Sequence, residues 1–322
     1  MHPELVEMVD REAAVLRPLD RWPTPEPAAE ATQAWLDDVR RLRDQHDAAA
    51  IIRSRASDLD DVTRSVEVAF HDVPTDGGTI TAAVYTPPST APRPVILYFH
   101  GGGWWMGGGA SNFALNDELC RGMALAFGAT VVNVDYRLAP EHRYPSQLAD
   151  GIAAVQWVQG NCSTLGVDPD DIMLVGASSG GHLAASVSLV APQRGLPQLT
   201  RQLLIVPCVD ATMSAPELQD EPDVARGLSL LRDYYFTGVD DLEDPSVSPV
   251  MAPDLSAMPP TVVIAAEHDV LRDQARLLVR RLGEQGVPSR LLEYPMTHTT
   301  AVPDVRGRIL AEAVAALQEV VR

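Results

Sequence analysis

The chain has 322 residues and a formal net charge of −19, with 44 acidic residues against 25 basic ones, every one of them arginine. So acidic a surface repels phosphate backbones and anionic lipids, which argues against a nucleic-acid binder, and no run approaches the ~18 apolar residues of a membrane span. With 46% hydrophobic residues the chain can bury a sizeable core, and its length suits one large α/β domain with insertions.

The first sixty residues read differently from the rest. "PELVEMVDREAAVLRPL" and "AAEATQAWLDDVRRLRDQHDAAAIIRS" carry helical apolar spacing and many charges, and the proline cluster "RWPTPEP" divides them. Two helices outside any sheet are expected over residues 1–60. The amino-terminal stretch has neither a basic n-region nor an apolar h-region, so no signal peptide is expected and the protein is read as cytoplasmic. Cys120, Cys162 and Cys208 are odd in number, widely spaced and free of any CxxC pattern. They fit unpaired thiols in a reducing compartment.

From about Val62 the pattern changes. "VTRSVEVAFHDV", "DGG" and "TITAAVYTP" form a hairpin signature. Strand-like and helix-like segments then alternate. Strands are expected at "PVILYF", "ATVVNVDY", "DIMLVG", "RQLLIVP", "PTVVIAAE" and "PSRLLEYP", with the strand of "PTVVIAAE" ending near Ala266. Helices are expected around 112–127, 145–160, 179–191, 272–285 and 304–321. Val-, Ile- and Leu-rich strands alternating with helices predict a mostly parallel sheet covered on both faces. Residues 210–250 break the alternation, carry a helical patch at "GLSLLRDYYF" and read as an insertion above the sheet. The catalytic domain is therefore expected over 61–322.

Two glycine-rich stretches carry the chemistry. In "DIMLVGASSGGHLAASVSLV" an apolar strand runs to Gly176 and an Ala-rich helical pattern follows Gly181. The G-x-S-x-G between them fits a nucleophile elbow, a sharp strand-to-helix turn that exposes the serine. Gly176 and Gly180 flank Ser178 at the two positions that must be small. For Ser179 the flanks would be Ala177 and Gly181, a poorer pair, so Ser178 is the candidate nucleophile. In "VILYFHGGGWWMGGG" a strand runs into six glycines within nine positions. An attacking serine turns a carbonyl oxygen into an oxyanion, and backbone N–H groups of a loop after the third strand can receive it. The N–H groups of Gly101, Gly102 and Ser179 are the candidate donors. A P-loop is excluded, since no lysine exists to touch a phosphate.

A serine hydroxyl needs a base, and the base an orienting carboxylate. In this order of elements the acid and then the histidine follow the serine. His298, just past the last predicted strand, is the candidate base. His268 comes too early, His182 reads as a packing residue on the elbow helix, and His100 as a stabiliser of the glycine loop. Asp269 is favoured as the acid, at the loop after "TVVIAAE". Glu267 belongs to the strand end, and Asp273 to the first turn of the next helix, where a carboxylate suits the dipole.

These segments together, "HGGGWWMGG", "VDYRLAPEHRYPSQLAD", "GASSGGHLAAS" and "DVLRDQA", resemble the hormone-sensitive-lipase-like family of α/β-hydrolases, the type IV bacterial esterases. The resemblance implies an eight-stranded, mostly parallel α/β-hydrolase sheet under a helical cap built from the amino-terminal helices and the 210–250 insertion. It implies a Ser178–His298–Asp269 triad, hydrolysis of short- to medium-chain carboxylic esters without metal or organic cofactor, and a fold often found as a homodimer. Trp104, Trp105, Met213, Tyr234, Tyr235 and Phe236 are candidates for the substrate pocket, with ordinary core packing as the competing reading. The same triad serves lactones, carbamates and amides, and a silent small-molecule binder is the alternative outside enzymes. Departures from the family pattern are Ala177 and Ser179 around the serine, Val270 after the acid, and "YPMTHTT" around the histidine.

Overall fold

A computed structural model of the chain describes residues 32–54, 60–214 and 222–321, together with Leu5. The expected first helix, the proline cluster and residues 215–221 of the insertion lie outside the described residues. An eight-stranded sheet forms the centre, in the order β1-β2-β4-β3-β5-β6-β7-β8. The strands are β1 (Glu67–Thr75), β2 (Gly78–Thr86), β3 (Arg93–Phe99), β4 (Thr130–Asp135), β5 (Val167–Ala177), β6 (Leu199–Ile205), β7 (Thr261–His268) and β8 (Ser289–Thr297). The β1–β2 hairpin pairs antiparallel to β4, and all remaining pairs are parallel. The hairpin, the six later strands and the five helices expected after them all form, with ends shifted by a few residues.

The alternation of side chains along each strand sorts the core into two layers. On β3, Val95, Leu97 and Phe99 pack with Val155 and Val158 of α3 (Ser146–Gly160), Leu183 and Val187 of α4 (Ser179–Val190), and Leu278 and Leu282 of α6 (Arg272–Glu284). Ile96 and Tyr98 face the other way, toward Met123 and Ala124 of α2 (Ala110–Phe127) and Ala313 and Leu317 of α7 (Pro303–Val320). Each such large side chain contributes roughly 1.5–3 kcal/mol on burial, which is why the central strands read as unbroken apolar runs.

A third apolar cluster sits beyond the carboxyl ends of the strands. It joins Trp35 and Val39 of α1 (Gln33–Ser54), Trp104 and Trp105 of the glycine loop, and Tyr234, Tyr235 and Phe236 of α5 (Pro222–Phe236). Arg43 of α1 reinforces it, donating to Glu141 Oε2 and to the Ala139 carbonyl, both at 2.7 Å. Among the described residues no helix is long and apolar enough to cross a membrane.

One shifted boundary bears on the site. β7 does not end near Ala266 but runs on to His268, which pairs with Thr297 after an irregularity in the register. Such a bulge beside a functional site re-aims the residues that follow it. Here those residues are Asp269, after β7, and His298, after β8.

Candidate active site

The turn from β5 into α4 leaves Ser178 at φ 54° and ψ −116°, a region that L-residues avoid. Such a conformation costs about 1–3 kcal/mol and persists only where its surroundings enforce it. Ser178 N–H donates to the Ile205 carbonyl at 2.8 Å, while its own carbonyl accepts from His182 N–H at 3.0 Å and Cys208 N–H at 3.3 Å. Tight flanks complete the constraint. A Cβ at Gly176 would stand 2.0 Å from the Gly180 carbonyl oxygen, and one at Gly180 would stand 2.0 Å from that of Phe99.

His298 and Asp269 meet this serine. Nε2 of His298 is 2.9 Å from Ser178 Oγ, and Nδ1 is 2.8 Å from Asp269 Oδ2. A carboxylate only accepts, so Nδ1 carries the proton and Nε2 offers its lone pair to the serine hydroxyl. The second carboxylate oxygen of Asp269 accepts from Leu271 N–H at 3.0 Å. The Asp269 side chain is 2% exposed and that of His298 33% exposed. Burial works against charge on the imidazole, but the charge and hydrogen bond of Asp269 outweigh it and hold the His298 pKa above its usual value. The competing carboxylates lie elsewhere. Glu267 is exposed, and Asp273 pairs with Arg276 at 3.0 Å on the surface of α6.

The glycine loop faces the same serine. A Cβ at Gly101 would come within 3.4 Å of Ser178 Cβ. Among the described residues, no hydrogen bond uses the N–H of Gly101, Gly102 or Ser179. None of the three is committed to an acceptor there, and that of Ser179 lies at the positive end of the α4 dipole. Gly102 sits at φ +127°, and a side chain there would collide with the Met106 carbonyl. The loop is pinned from several sides. Gly107 N–H donates to both oxygens of Asp47 on α1 at 3.2 Å, and Gly109 N–H to Asp135 Oδ1 at 2.7 Å. His100 Nδ1–H donates to the Gly101 carbonyl at 2.7 Å, and the Tyr136 hydroxyl to the His100 carbonyl at 2.7 Å.

His182 does more than pack. Trp104 Nε1–H donates to its Nδ1 at 3.2 Å, and its Nε2–H donates to the Val247 carbonyl at 2.9 Å. It therefore joins the glycine loop, the elbow helix and the 210–250 insertion. Burial lowers its pKa to about 4, which keeps the ring neutral with one donor and one acceptor.

Of the aromatic pocket candidates, Trp104, Trp105 and Tyr234 are only 2%, 1% and 1% exposed. Trp104 stacks on Tyr235 with centroids 5.0 Å apart and meets Phe236 edge-on. These rings fill the layer between loop and insertion, and present little surface to a ligand. Met213 is half-buried, at φ 55°.

Three contributors to the site carry no sequence signal of their roles. Asp47 gave no signal, because a carboxylate on a charged helix reads as solvated. Tyr136 lay inside the "VDYRLAPEH" segment but had no assigned role. In the sequence His182 reads as a packing residue, since its two hydrogen-bond partners lie 78 residues before it and 65 after.

Residues 96–301 match a family described as the α/β hydrolase fold. The chain belongs to that family. Within it, the chain falls in the hormone-sensitive-lipase-like branch. It is 35% identical over 228 residues to carboxylesterase NlhH of Mycobacterium tuberculosis, covering 68% of this α/β-hydrolase and 70% of NlhH. It is 37% identical over 178 residues to an arylesterase of Saccharolobus solfataricus, covering 54% of this chain and 58% of that protein. The structure of a hyperthermophilic esterase from the archaeon Pyrobaculum calidifontis superposes with a TM-score of 0.79 at 33% identity, over 88% of this α/β-hydrolase and 95% of the other.

Proposed function

We propose that this α/β-hydrolase is a carboxylesterase in which Ser178 is the nucleophile, His298 the general base and Asp269 the residue that orients it. The observation that carries the reading is one continuous run: Asp269 to His298 at 2.8 Å, His298 to Ser178 at 2.9 Å, with unused N–H groups on Ser179 and on the glycine loop that faces the serine. Ser178 attacks the acyl carbonyl as His298 takes its proton. The oxyanion is received by the N–H groups of Gly101, Gly102 and Ser179. His298 then protonates the leaving alcohol, and water attacks the acyl-enzyme through the same base. The esterase names of the similar proteins support ester bonds as the substrate.

Residues 1–60 together with 210–250 act as a cap over a catalytic domain spanning 61–322. The packing of Trp35 against Tyr234, and of Leu231 against the position a Gly103 side chain would take, supports this division. A cap that fills the space over the glycine loop with aromatic rings favours short acyl chains. The unpaired Cys120, Cys162 and Cys208 support a cytoplasmic protein. The test is hydrolysis of p-nitrophenyl esters from C2 to C12 by the wild type and by Ser178→Ala. Activity that peaks at short chains and vanishes in the variant is expected. No activity on any ester would overturn the reading.

A further inference from the structure

The two glycine-loop peptide units at the site share a feature that loop geometry alone does not require. The Gly101 N–H belongs to the same planar unit as the His100 carbonyl, and that carbonyl accepts from the Tyr136 hydroxyl at 2.7 Å. The Gly102 N–H belongs to the same unit as the Gly101 carbonyl, and that carbonyl accepts from His100 Nδ1–H at 2.7 Å. In a trans peptide the N–H and C=O point in opposite directions. A donor placed behind the carbonyl therefore aims the N–H forward. It also draws electron density toward the oxygen and makes the N–H a stronger donor, since hydrogen bonds in series polarise one another. The third unit follows the same plan, because the Ser178 carbonyl, bonded to the Ser179 N–H, accepts from the His182 and Cys208 N–H groups at 3.0 and 3.3 Å.

Both side-chain donors are locked in the donating form. The Tyr136 ring stacks on His100 with centroids 4.2 Å apart and planes 8° from parallel. Burial pushes the phenol pKa well up, against a smaller opposing pull from the Ser179 hydroxyl. The Gly101 carbonyl can only accept, so the proton of His100 sits on Nδ1. Burial lowers the pKa of this ring, against an opposing pull from Asp135, and keeps it neutral.

We propose that Tyr136 and His100 are positioning residues that polarise the peptide units of Gly101 and Gly102, and so strengthen the oxyanion hole rather than merely hold the loop. The proposal rests on the esterase reading above. Losing a whole donor costs about 10²–10³ in rate; a donor that stays but weakens should cost less, on the order of tenfold.

The experiment uses Tyr136→Phe, which keeps the stacked ring, measured with p-nitrophenyl acetate and with a pair of short alkyl ketones. A trifluoromethyl ketone accepts Ser178 Oγ at its carbonyl while the hydroxyl proton passes to His298, which leaves a tetrahedral oxyanion and expels nothing. The matching methyl ketone binds without that step. The expected result is a fall in kcat of about tenfold with KM unchanged, and an equal fall in the trifluoromethyl-to-methyl affinity ratio. The pH profile should stay that of wild type, because His298 is untouched. His100→Asn, which places an N–H near the same spot, should keep most of the ratio, and His100→Leu should lose it. The proposal is overturned if folded Tyr136→Phe keeps the wild-type ratio, or if kcat falls while the ratio stays. If the wild type itself shows no preference for the trifluoromethyl ketone, the oxyanion-hole reading fails and takes this proposal with it. If the wild type shows that preference and only Tyr136→Phe fails to change it, the esterase reading stands alone.

Discussion

Ser178 and His298 are 120 residues apart in the chain, yet Oγ and Nε2 stand 2.9 Å apart. The contact is made by two strand ends, β5 and β8, with β6 and β7 between them. Removing either side chain should disable the chemistry without disturbing the fold. Ser178→Ala is expected to lower kcat by about 10⁶, and Asp269→Asn by about 10⁴, as in other serine hydrolases. An organophosphate should label the wild type on Ser178 and leave Ser178→Ala unlabelled. Labelling that moves to Ser179 would reassign the nucleophile.

The rate should fall on the acid side of a pKa that lies above the ordinary histidine value. His298 must be neutral to accept the serine proton, and Asp269 holds its pKa up. The acid limb of kcat/KM should therefore lie above about pH 6.5. In Asp269→Asn the residual activity should show this limb shifted to lower pH, because burial then acts alone. A wild-type limb well below 6.5 would contradict the account.

His182 predicts the opposite dependence, in stability. Its folded pKa is lowered to about 4, so the unfolded chain takes up a proton first as pH falls. The stability it confers is whole above about pH 6.5 and is lost between there and about 4, with a ceiling on the order of 3 kcal/mol. Denaturant unfolding from pH 7 to 4.5 should show a shallower pH slope for His182→Gln than for wild type. Parallel slopes would mean that the ring does not stay neutral in the fold.

The elbow has no room for a methyl group. Gly180→Ala places a Cβ 2.0 Å from the Phe99 carbonyl oxygen, and Gly176→Ala places one 2.0 Å from that of Gly180. Both contacts are to backbone, which cannot swing aside. Each variant should be insoluble or lose more than about 4 kcal/mol of stability, the upper tail for single substitutions. Thermal unfolding of Gly109→Ala, in the separate glycine loop after β3, where a Cβ meets nothing within 4 Å, provides the milder comparison, limited to the cost of its positive φ.

Asp47 ties α1 to the loop that faces the serine. Asp47→Ala leaves Gly107 N–H without its buried acceptor and should cost about 1–3 kcal/mol. The loop should also sit less firmly, so kcat is expected to drop several-fold, since small misplacements near reacting groups are costly. Steady-state kinetics alongside a melting curve checks both. Unchanged kcat with a lowered melting point would limit Asp47 to a structural tie.

What the sequence by itself determined is the local part of this protein. Unbroken apolar runs such as "PVILYF" and "TVVIAAE" specify strands buried on both faces. The G-x-S-x-G between a strand and a helix specifies the elbow at Ser178, and the order of elements points to Asp269 and His298. The strand and elbow signals depend on neighbours a few residues away, and the other two residues on the succession of elements along the chain. The tertiary structure alone decided the rest. The extension of β7 to His268 depends on pairing with β8, and no local preference announces it. Burial of Trp104, Trp105 and Tyr234, instead of exposure in a pocket, depends on which surface the insertion lays over the loop. The anchors Asp47, Tyr136 and His182 depend on hydrogen bonds whose partners are 60, 36 and 78 residues away. A carboxylate, a phenol or an imidazole looks the same in sequence whether it faces water or a buried peptide group. Only the packing of the chain chooses between them, by removing the water and leaving one partner.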